Sequence, residues 1–237
     1  MVDSRSAPVR DAATVMLVRD GRVGMEVFML RRNLDLDFVA GAYVFPGGAV
    51  DDADRHAEAE SACDGLSDDQ ASSVLGVPAG GLAFWVAAVR ECFEEAGVLL
   101  ACGADGEVVS FADAATEARF STYRDAVHAG ELRLVELCRI ENLRLMTDRI
   151  HYFSHWITPV GPPRRYDTRF FVAAAPPDQE PLHDGGETIA SVWVRPADAL
   201  ARHHAGTLDL ILPTIRTLED IALFDGTADL LSAKQGA

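Results

Sequence analysis

Arg90-Glu91-Cys92-Phe93-Glu94-Glu95-Ala96-Gly97-Val98 places three carboxylates and one guanidinium within six consecutive residues, 90–95. On a helix, residues four apart lie one above the other and residues three apart are near neighbours. Glu91 and Glu95 then share a face, with Glu94 beside them. Like charges at this spacing destabilise an isolated helix, so the pattern points to a cation that neutralises them. Several carboxylate oxygens on one rigid face suit a hard divalent ion such as Mg2+ or Mn2+. Upstream, Gly41-Ala42-Tyr43-Val44-Phe45-Pro46-Gly47-Gly48 runs a short apolar strand into a Pro-Gly-Gly turn. Glycines let backbone approach a ligand closely, and a carbonyl in this loop is a further oxygen donor for a hard cation. The bland reading makes the acids an exposed face and Arg90 a partner in surface ion pairs worth little. Pro-Gly-Gly upstream, Arg90 in front and Gly97 behind argue against it.

These residues need elements to hold them. The acidic helix is expected from near Leu82 to about Gly97, a good residue to follow a helix C-terminus, with Phe84, Ala87, Ala88, Cys92 and Ala96 as its buried stripe. Val98-Leu99-Leu100 is expected to continue as a buried strand. Ala12–Val18 and Glu26–Arg31 read as two strands of a hairpin whose loop, through Arg22-Val23-Gly24, is longer than two residues. Residues 55–81, rich in Ala, Ser, Asp and Gly, read as a helical excursion opened by the capping-box pattern Ser67-Asp68-Asp69-Gln70. Phe111–Ala129 and Leu132–Leu143 have helical character and no evident chemistry, with Phe111, Ala115, Ala118, Tyr123 and Val127 as core candidates. His151–Pro159 and Asp167–Ala174 read as a strand pair, with His151 and His155 on one face. A polar Gly-rich loop, Leu182–Glu187, leads to a strand over Thr188–Val194. Pro196 opens a helix through Ala201, and Pro213 begins the last helix, Thr214–Phe224. Residues 1–10 and 232–237 are expected to be loose ends.

Composition bounds the function. At 237 residues and 49% apolar content, one elaborated domain over 1–237 is the expectation. No apolar run is long enough for a membrane span, and Met1–Arg10 lacks the apolar region of a signal peptide. Cys63, Cys92, Cys102 and Cys138 form no Cys-x-x-Cys pair, so reduced thiols in a cytoplasmic protein are expected. The formal net charge of -16 disfavours nucleic acid and anionic membrane surfaces. It also repels a small anionic substrate, so a phosphate-bearing substrate would require metal ions and local arginines.

Gly47-Gly48, then Asp54, then Arg90–Val98 resembles the Nudix hydrolase signature, G-x5-E-x7-R-E-U-x-E-E-x-G-U with U aliphatic. The second half matches at every fixed letter except that Cys92 replaces an aliphatic residue. In the first half Asp54 stands where the family usually has Glu. Residues 55–89, 35 in all, fill a gap where the pattern has seven, so 28 extra residues split the box. A split box of this kind is similar to the branch of coenzyme A diphosphatases. His155–Pro159, Arg165–Phe171, and Trp193 followed by Pro196–Leu200 are similar to that branch as well.

The resemblance implies an α+β Nudix fold, an α/β/α sandwich with a mixed sheet between helices and a helical insertion inside the box. It implies metal-dependent attack by water on phosphorus in a nucleoside diphosphate linked to another group. Carried over by position, Glu91, Glu94, Glu95 and the Gly47 carbonyl hold the metal, Mg2+ or Mn2+, and Arg90 fixes a box carboxylate. The general base is a box glutamate or Glu187 in the later Gly-rich loop. Arg31, Arg32, Arg164, Arg165 and Arg169 are candidates for substrate phosphates. Coenzyme A or an acyl-coenzyme A is the leading substrate; a dinucleotide, ADP-ribose, nucleotide sugar or damaged nucleotide is the alternative, and a non-catalytic binding module a third. The resemblance also favours a homodimer. The chain shows no Ser-Lys-Leu ending, so a peroxisomal address does not carry over.

Overall fold

The computed structural model describes residues 7–35 and 39–235. One mixed sheet organises them. Strand β1 (Val9–Gly21) pairs antiparallel with β2 (Gly24–Arg32) and with β4 (Gly47–Ala49), and parallel with β8 (Arg165–Ala174). Strand β2 also pairs with β3 (Tyr43–Val44) and β9 (Thr188–Val194), and β8 with β7 (His151–Ile157). Alternation along the central strands explains why both faces are buried. Ala13, Val15, Leu17, Phe28, Leu30 and Phe171 enter one core; Met16, Val18, Val27, Met29, Phe170 and Val172 enter the other. The first core is covered by α1 (Asp68–Leu75), α2 (Leu82–Ala96), α3 (Ala114–His128) and α4 (Leu134–Glu141). The second is covered by α5 (Pro196–His204), α6 (Leu212–Ile221) and α7 (Thr227–Lys234). This is the expected α/β/α sandwich.

The acidic helix α2 ends at Ala96, and Gly97 closes it in the left-handed region with φ 70°, a conformation that favours glycine. Thirteen of its fifteen residues are buried, more than one amphipathic stripe provides. Trp85 shows how firmly it is seated: its Nε1–H donates to the Ile150 carbonyl at 2.8 Å and its ring lies 4.6 Å from that of Phe171. The N-terminus of α2 has no capping side chain of its own, because Gly81 occupies that place. Asp68, the first residue of α1, supplies it: its carboxylate accepts from the backbone N–H of Gly80 at 2.8 Å and of Leu82 at 3.0 Å. Gly81 lies against the backbone of Ser72, where a Cβ would come within 2.4 Å. The inserted segment therefore anchors the start of the acidic helix. Its own helix opens with the expected capping box at Ser67 and Gln70 and ends at Gly76.

Several local expectations are corrected. Val98-Leu99-Leu100 is buried but joins no ladder; β5 is only Ala101–Cys102, paired with β6 (Arg144–Leu145). The Gln179 side chain replaces the ladder, accepting from the Leu99 N–H at 2.8 Å and donating to the Leu99 carbonyl at 3.1 Å. The β1–β2 loop is shorter than expected, since Gly21 pairs directly with Gly24 across Arg22 and Val23. His151 and His155 lie on opposite faces: a bulge between Tyr152 and Ser154 adds one residue, so His151 pairs with Val172 and His155 with Arg169. Ala115 and Ala118 are exposed rather than core. Helix α5 continues to His204; the expected Thr214–Phe224 helix is α6, which runs Leu212–Ile221, and α7 follows it where no helix was expected. Of the expected loose ends, residues 1–6 and 236–237 lie outside the described residues, whereas β1 already begins at Val9 and α7 runs through Lys234.

Candidate active site

Arg90 is the hub of the site. Its side chain is 10% exposed and its donors are spent on four groups. Nε and Nη2 form a fork on the Asp54 carboxylate, both at 2.9 Å. Nη2 also donates to the Ala49 carbonyl at 2.7 Å, and Nη1 to Glu91 Oε1 at 2.9 Å and Glu94 Oε1 at 3.1 Å. Planar two-pronged pairs of this kind are the strong form of charged hydrogen bond. Asp54 is 2% exposed and also accepts from the Asp51 N–H at 2.8 Å. The sequence signal for Asp54 was its position after Gly48 with five residues between them; its shorter side chain reaches Arg90 without a glutamate's extra methylene.

The three helix carboxylates divide. Glu95 Oε2 accepts from the Gly47 N–H at 2.9 Å, and Glu95 is 4% exposed. The Glu91 carboxylate lies where a side chain at Gly48 would be: a Cβ there would come within 2.5 Å of Glu91 Oε1. Glycine at 48 is thus a matter of space. Glu94 turns toward α3, with Oε2 3.6 Å from Nδ1 of His128. Burial, and then the neighbouring Glu94, push the Glu91 carboxyl up to about 7 against the pull of Arg90. Burial and the Glu91 charge raise Glu95 well above the ordinary carboxylate range, opposed by the Gly47 N–H and Arg32. One guanidinium cannot neutralise Asp54, Glu91, Glu94 and Glu95, and burial together with the neighbouring negative charge raises Glu91 and Glu95. Among the described residues no three His, Cys, Asp or Glu side chains converge as a ready-made cage. Two of the oxygens, Glu91 Oε1 and Glu94 Oε1, are instead turned to Arg90. The donor set still fits a hard divalent cation: carboxylate oxygens with surplus negative charge, packed on two glycines.

The far end of α2 is held from two other elements. Arg124 on α3 donates through Nε to the Glu94 carbonyl at 2.8 Å, and through Nη2 to the carbonyls of Glu95 at 2.9 Å and Leu182 at 3.1 Å. A cation there satisfies the unpaired carbonyls of a helix C-terminus. It also ties the helix to the loop carrying Glu187. In that loop Asp184 Oδ1 accepts from the N–H of Gly186 at 2.8 Å and of Thr188 at 2.9 Å. Asn33, just beyond β2, donates to the carbonyls of Gly186 and Glu187, both at 2.8 Å. Glu187 is exposed and close enough to Glu95 to raise its pKa. Neither Arg124 nor Asn33 was signalled by the sequence, because each acts through backbone groups remote in the chain.

The arginines separate. Arg32 lies beside Glu95 and has a buried Nε without a partner. It also lines a cavity of about 590 Å³ on the sheet face opposite α2, together with Gly47, Phe45, Trp156, Phe170 and Leu212. Arg31 donates from Nε to the Gly41 carbonyl at 3.3 Å. Arg169 faces the other way: it is 6% exposed, pairs with Asp167 at 2.6 Å and lies 5.6 Å over the Phe84 ring. Arg164 and Arg165 line a separate cleft at the start of β8, with Arg165 Nε on the Thr158 carbonyl at 3.2 Å. Among the described residues the structure thus brings Gly47, Arg90, Glu91, Glu94, Glu95, Glu187 and Arg32 to one end of the sheet, and does not bring Arg165 or Arg169 into that group.

The model of the NUDT19 Nudix domain matches residues 59–220. The chain belongs to the Nudix family. A human protein named acyl-coenzyme A diphosphatase NUDT19 is 28% identical over 87% of this chain, and a chicken protein of the same name is 28% identical over 93%. The chain spans 63% of the length of the human relative and 70% of that of the chicken one. The crystal structure of a Nudix hydrolase from Alicyclobacillus acidocaldarius superposes with a TM-score of 0.75 at 28% identity, covering 96% of this chain and 97% of that one. Nudix hydrolases generally require a divalent metal, which agrees with the surplus of buried carboxylates. No helix among the described residues is long and apolar enough to cross a membrane.

Proposed function

We propose that this Nudix chain hydrolyses the diphosphate linkage of coenzyme A or an acyl-coenzyme A. One observation carries the reading: the carboxylates of Glu91 and Glu95, packed on Gly47-Gly48, adjoin an apolar cavity through Gly47 and Arg32. Carboxylate oxygens suited to a cation, a guanidinium suited to phosphate and an apolar wall, close together, support the reading. The acyl-coenzyme A diphosphatase names of the human and chicken relatives support the substrate class.

Glu91, Glu94, Glu95 and the Gly47 carbonyl would hold Mg2+ or Mn2+, which when bound offsets phosphate charge and makes water a better nucleophile. The rest is work for the chain's own groups. Arg90, pinned by Asp54, keeps Glu91 and Glu94 oriented. Arg32, with an unpaired Nε at the cavity wall, binds a phosphate oxygen; Arg31 stands next to it on β2. Glu187 takes the proton of the attacking water, from a loop fixed by Asn33 and Asp184. Water oxygen bonds to phosphorus, the bond from phosphorus to the bridging oxygen breaks, and the products are adenosine 3′,5′-bisphosphate and a phosphopantetheine.

The test is a substrate panel with Mg2+ and with Mn2+, read by mass spectrometry: coenzyme A, acyl-coenzyme A, ADP-ribose, a dinucleotide and a nucleotide sugar. Cleavage of coenzyme A to those two products is expected. Cleavage only of another member would replace the substrate assignment. Glu95→Gln should abolish turnover and the rise in melting temperature on adding Mg2+, while the metal-free variant stays folded. Glu187→Gln should slow turnover about a hundredfold or more with metal affinity unchanged; an unchanged rate removes Glu187 as the base.

A further inference from the structure

We propose that Arg10 forms a second phosphate-binding site on the path of the substrate, which reads a phosphate monoester carried on its ribose. This deepens the coenzyme A reading and rests on it for the identity of the substrate. The cleft in question has a volume of about 300 Å³ and is lined by Pro8, Arg10, Pro163, Arg164, Arg165 and Tyr166. None of these lining residues is acidic, in a chain where 37 Asp and Glu outnumber 21 Lys and Arg. Arg10 is exposed and forms no ion pair among the described residues. The assignment uses only Arg10: Arg165 pairs with Val9, which puts it on the other face of the sheet, and its Nε is held by the Thr158 carbonyl.

Register places the cleft relative to the site. Residues directly opposite in a ladder share a face, as do residues two apart along a strand. Arg10 pairs with Tyr166, Ala12 with Thr168 and Thr14 with Phe170. Tyr166, Thr168, Thr14 and Phe170 all line the apolar cavity. One face therefore runs from Gly47, which pairs with Thr14, along the cavity floor to Arg10. Four residues of strand span about 13 Å, and a guanidinium at the end of its long side chain can reach back over part of that. Tyr166 belongs to both the cavity and the cleft, so they share one wall. That wall is fixed: the Thr158 N–H donates to the Tyr166 carbonyl at 2.9 Å, the Tyr166 N–H to Thr158 Oγ1 at 3.1 Å, and Arg165 Nε to the Thr158 carbonyl at 3.2 Å. The order is carboxylates and Arg32, apolar surface, then unneutralised guanidinium. In coenzyme A the ribose carries all three groups, the diphosphate at its 5′ carbon, the adenine at 1′ and the phosphate at 3′, so the apolar face takes the adenine while the long Arg10 side chain reaches back toward the ribose.

Two measurements test this. The first is the ratio of kcat/KM for coenzyme A to that for dephospho-coenzyme A, which lacks the ribose phosphate. Wild type should favour coenzyme A about tenfold or more, the scale of one charged hydrogen bond. Arg10→Gln should bring the ratio close to one, mainly through KM. Arg22→Gln, which removes the same charge at the far hairpin tip, should leave the ratio at the wild-type value. The second is calorimetric titration with adenosine 3′,5′-bisphosphate and with adenosine 5′-monophosphate, which needs no turnover. Wild type should bind the bisphosphate about tenfold more tightly, and Arg10→Gln should lose that margin. A wild-type ratio near one with good cleavage of both substrates overturns the second site and leaves the hydrolase reading intact. No cleavage of either, with the bisphosphate still preferred and the preference lost in Arg10→Gln, overturns the substrate reading alone. Equal titration of the bisphosphate into wild type and Arg10→Gln overturns the proposal in every case.

Discussion

Asp54→Asn isolates the arrangement on which the carboxylates depend. The Asp54 side chain is 2% exposed and accepts three hydrogen bonds, from Arg90 Nε, Arg90 Nη2 and the Asp51 N–H, at 2.8–2.9 Å. Asparagine keeps the shape but turns one acceptor into a donor, which must face either Arg90 or the Asp51 amide. At least one charged hydrogen bond is lost, worth about 1.5–3 kcal/mol. Removing one partner of a buried ion pair typically costs about 3–5 kcal/mol. Here Glu91 and Glu94 still contact the guanidinium, which holds the cost near the lower end, about 3 kcal/mol. For a chain of this size that lowers Tm by about 6–12 °C. Arg90, freed on one side, shifts toward Glu91 and competes with the cation, so the Mg2+ concentration for half-maximal turnover should rise. Thermal unfolding by circular dichroism, with and without Mg2+, reads both effects. A variant melting within about 2 °C of wild type, with the same Mg2+ requirement, refutes the role given to Asp54.

Asp68→Ala removes the carboxylate that accepts from Gly80 and Leu82 at the start of α2, leaving Ser72 Oγ on the Gly81 N–H, and should cost about 1–2 kcal/mol, a Tm loss of a few degrees, with the Mg2+ requirement unchanged; no change in Tm would make the insertion a surface ornament. Gly48→Ala places a methyl within 2.5 Å of Glu91 Oε1, so turnover should fall at least tenfold while Tm changes by only a few degrees, since the end of a flexible side chain can move; retained turnover would show that the position of Glu91 is not critical. The pH dependence of the metal-free protein has a definite sign. Glu91 titrates near 7 when folded against an ordinary 4.5, so its contribution is fully present below about 4.5 and is lost as pH rises through about 7, by up to about 3 kcal/mol. In a chelator, Tm should therefore fall between pH 5 and pH 8 more in wild type than in Glu91→Gln, and the gain on adding Mg2+ should grow with pH; identical profiles for the two proteins would refute this.

How much of this was legible depended on distance along the chain. The ends of α2, the capping box at Ser67 and Gln70 and the grouping of Glu91, Glu94 and Glu95 follow from spacings inside one helix, where geometry is fixed at 3.6 residues per turn. The β7–β8 pair was legible from alternation, but not the bulge at Tyr152/Ser154, since one extra residue reverses face parity and leaves no compositional mark. The stand-in for a strand at Leu99 was invisible because Gln179 supplies it from eighty residues away. Arg124 and Asp68 were invisible for the same reason: a side chain that completes the backbone hydrogen bonds of another helix carries no periodic signal. The apolar cavity was also hidden, since its wall combines Thr14, Phe45, Trp156, Phe170 and Leu212 from elements that only the parallel β1–β8 pairing brings together.

A net charge of -16 sets a repulsive field for a substrate with several phosphates, yet the local arrangement reverses it where it counts. Exposed charges farther apart than about 8–10 Å are largely screened at physiological salt, so the acids spread over distant surfaces contribute little at the site. What remains close by is unequal in burial. Of the negative groups at the site, Asp54 and Glu95 are buried and Glu91 and Glu94 half-buried, where a cation is the cheapest way to keep them ionised. The positive groups lie outward of them, Arg32 at the cavity wall and Arg10 at its end. A cation bound at the acids would turn their surplus into a positive edge facing Arg32, so the sheet face from Gly47 to Arg10 would carry one sign. The same carboxylates that make the chain acidic are then what allow it to hold a polyanion, and removing one of them should weaken substrate as well as metal.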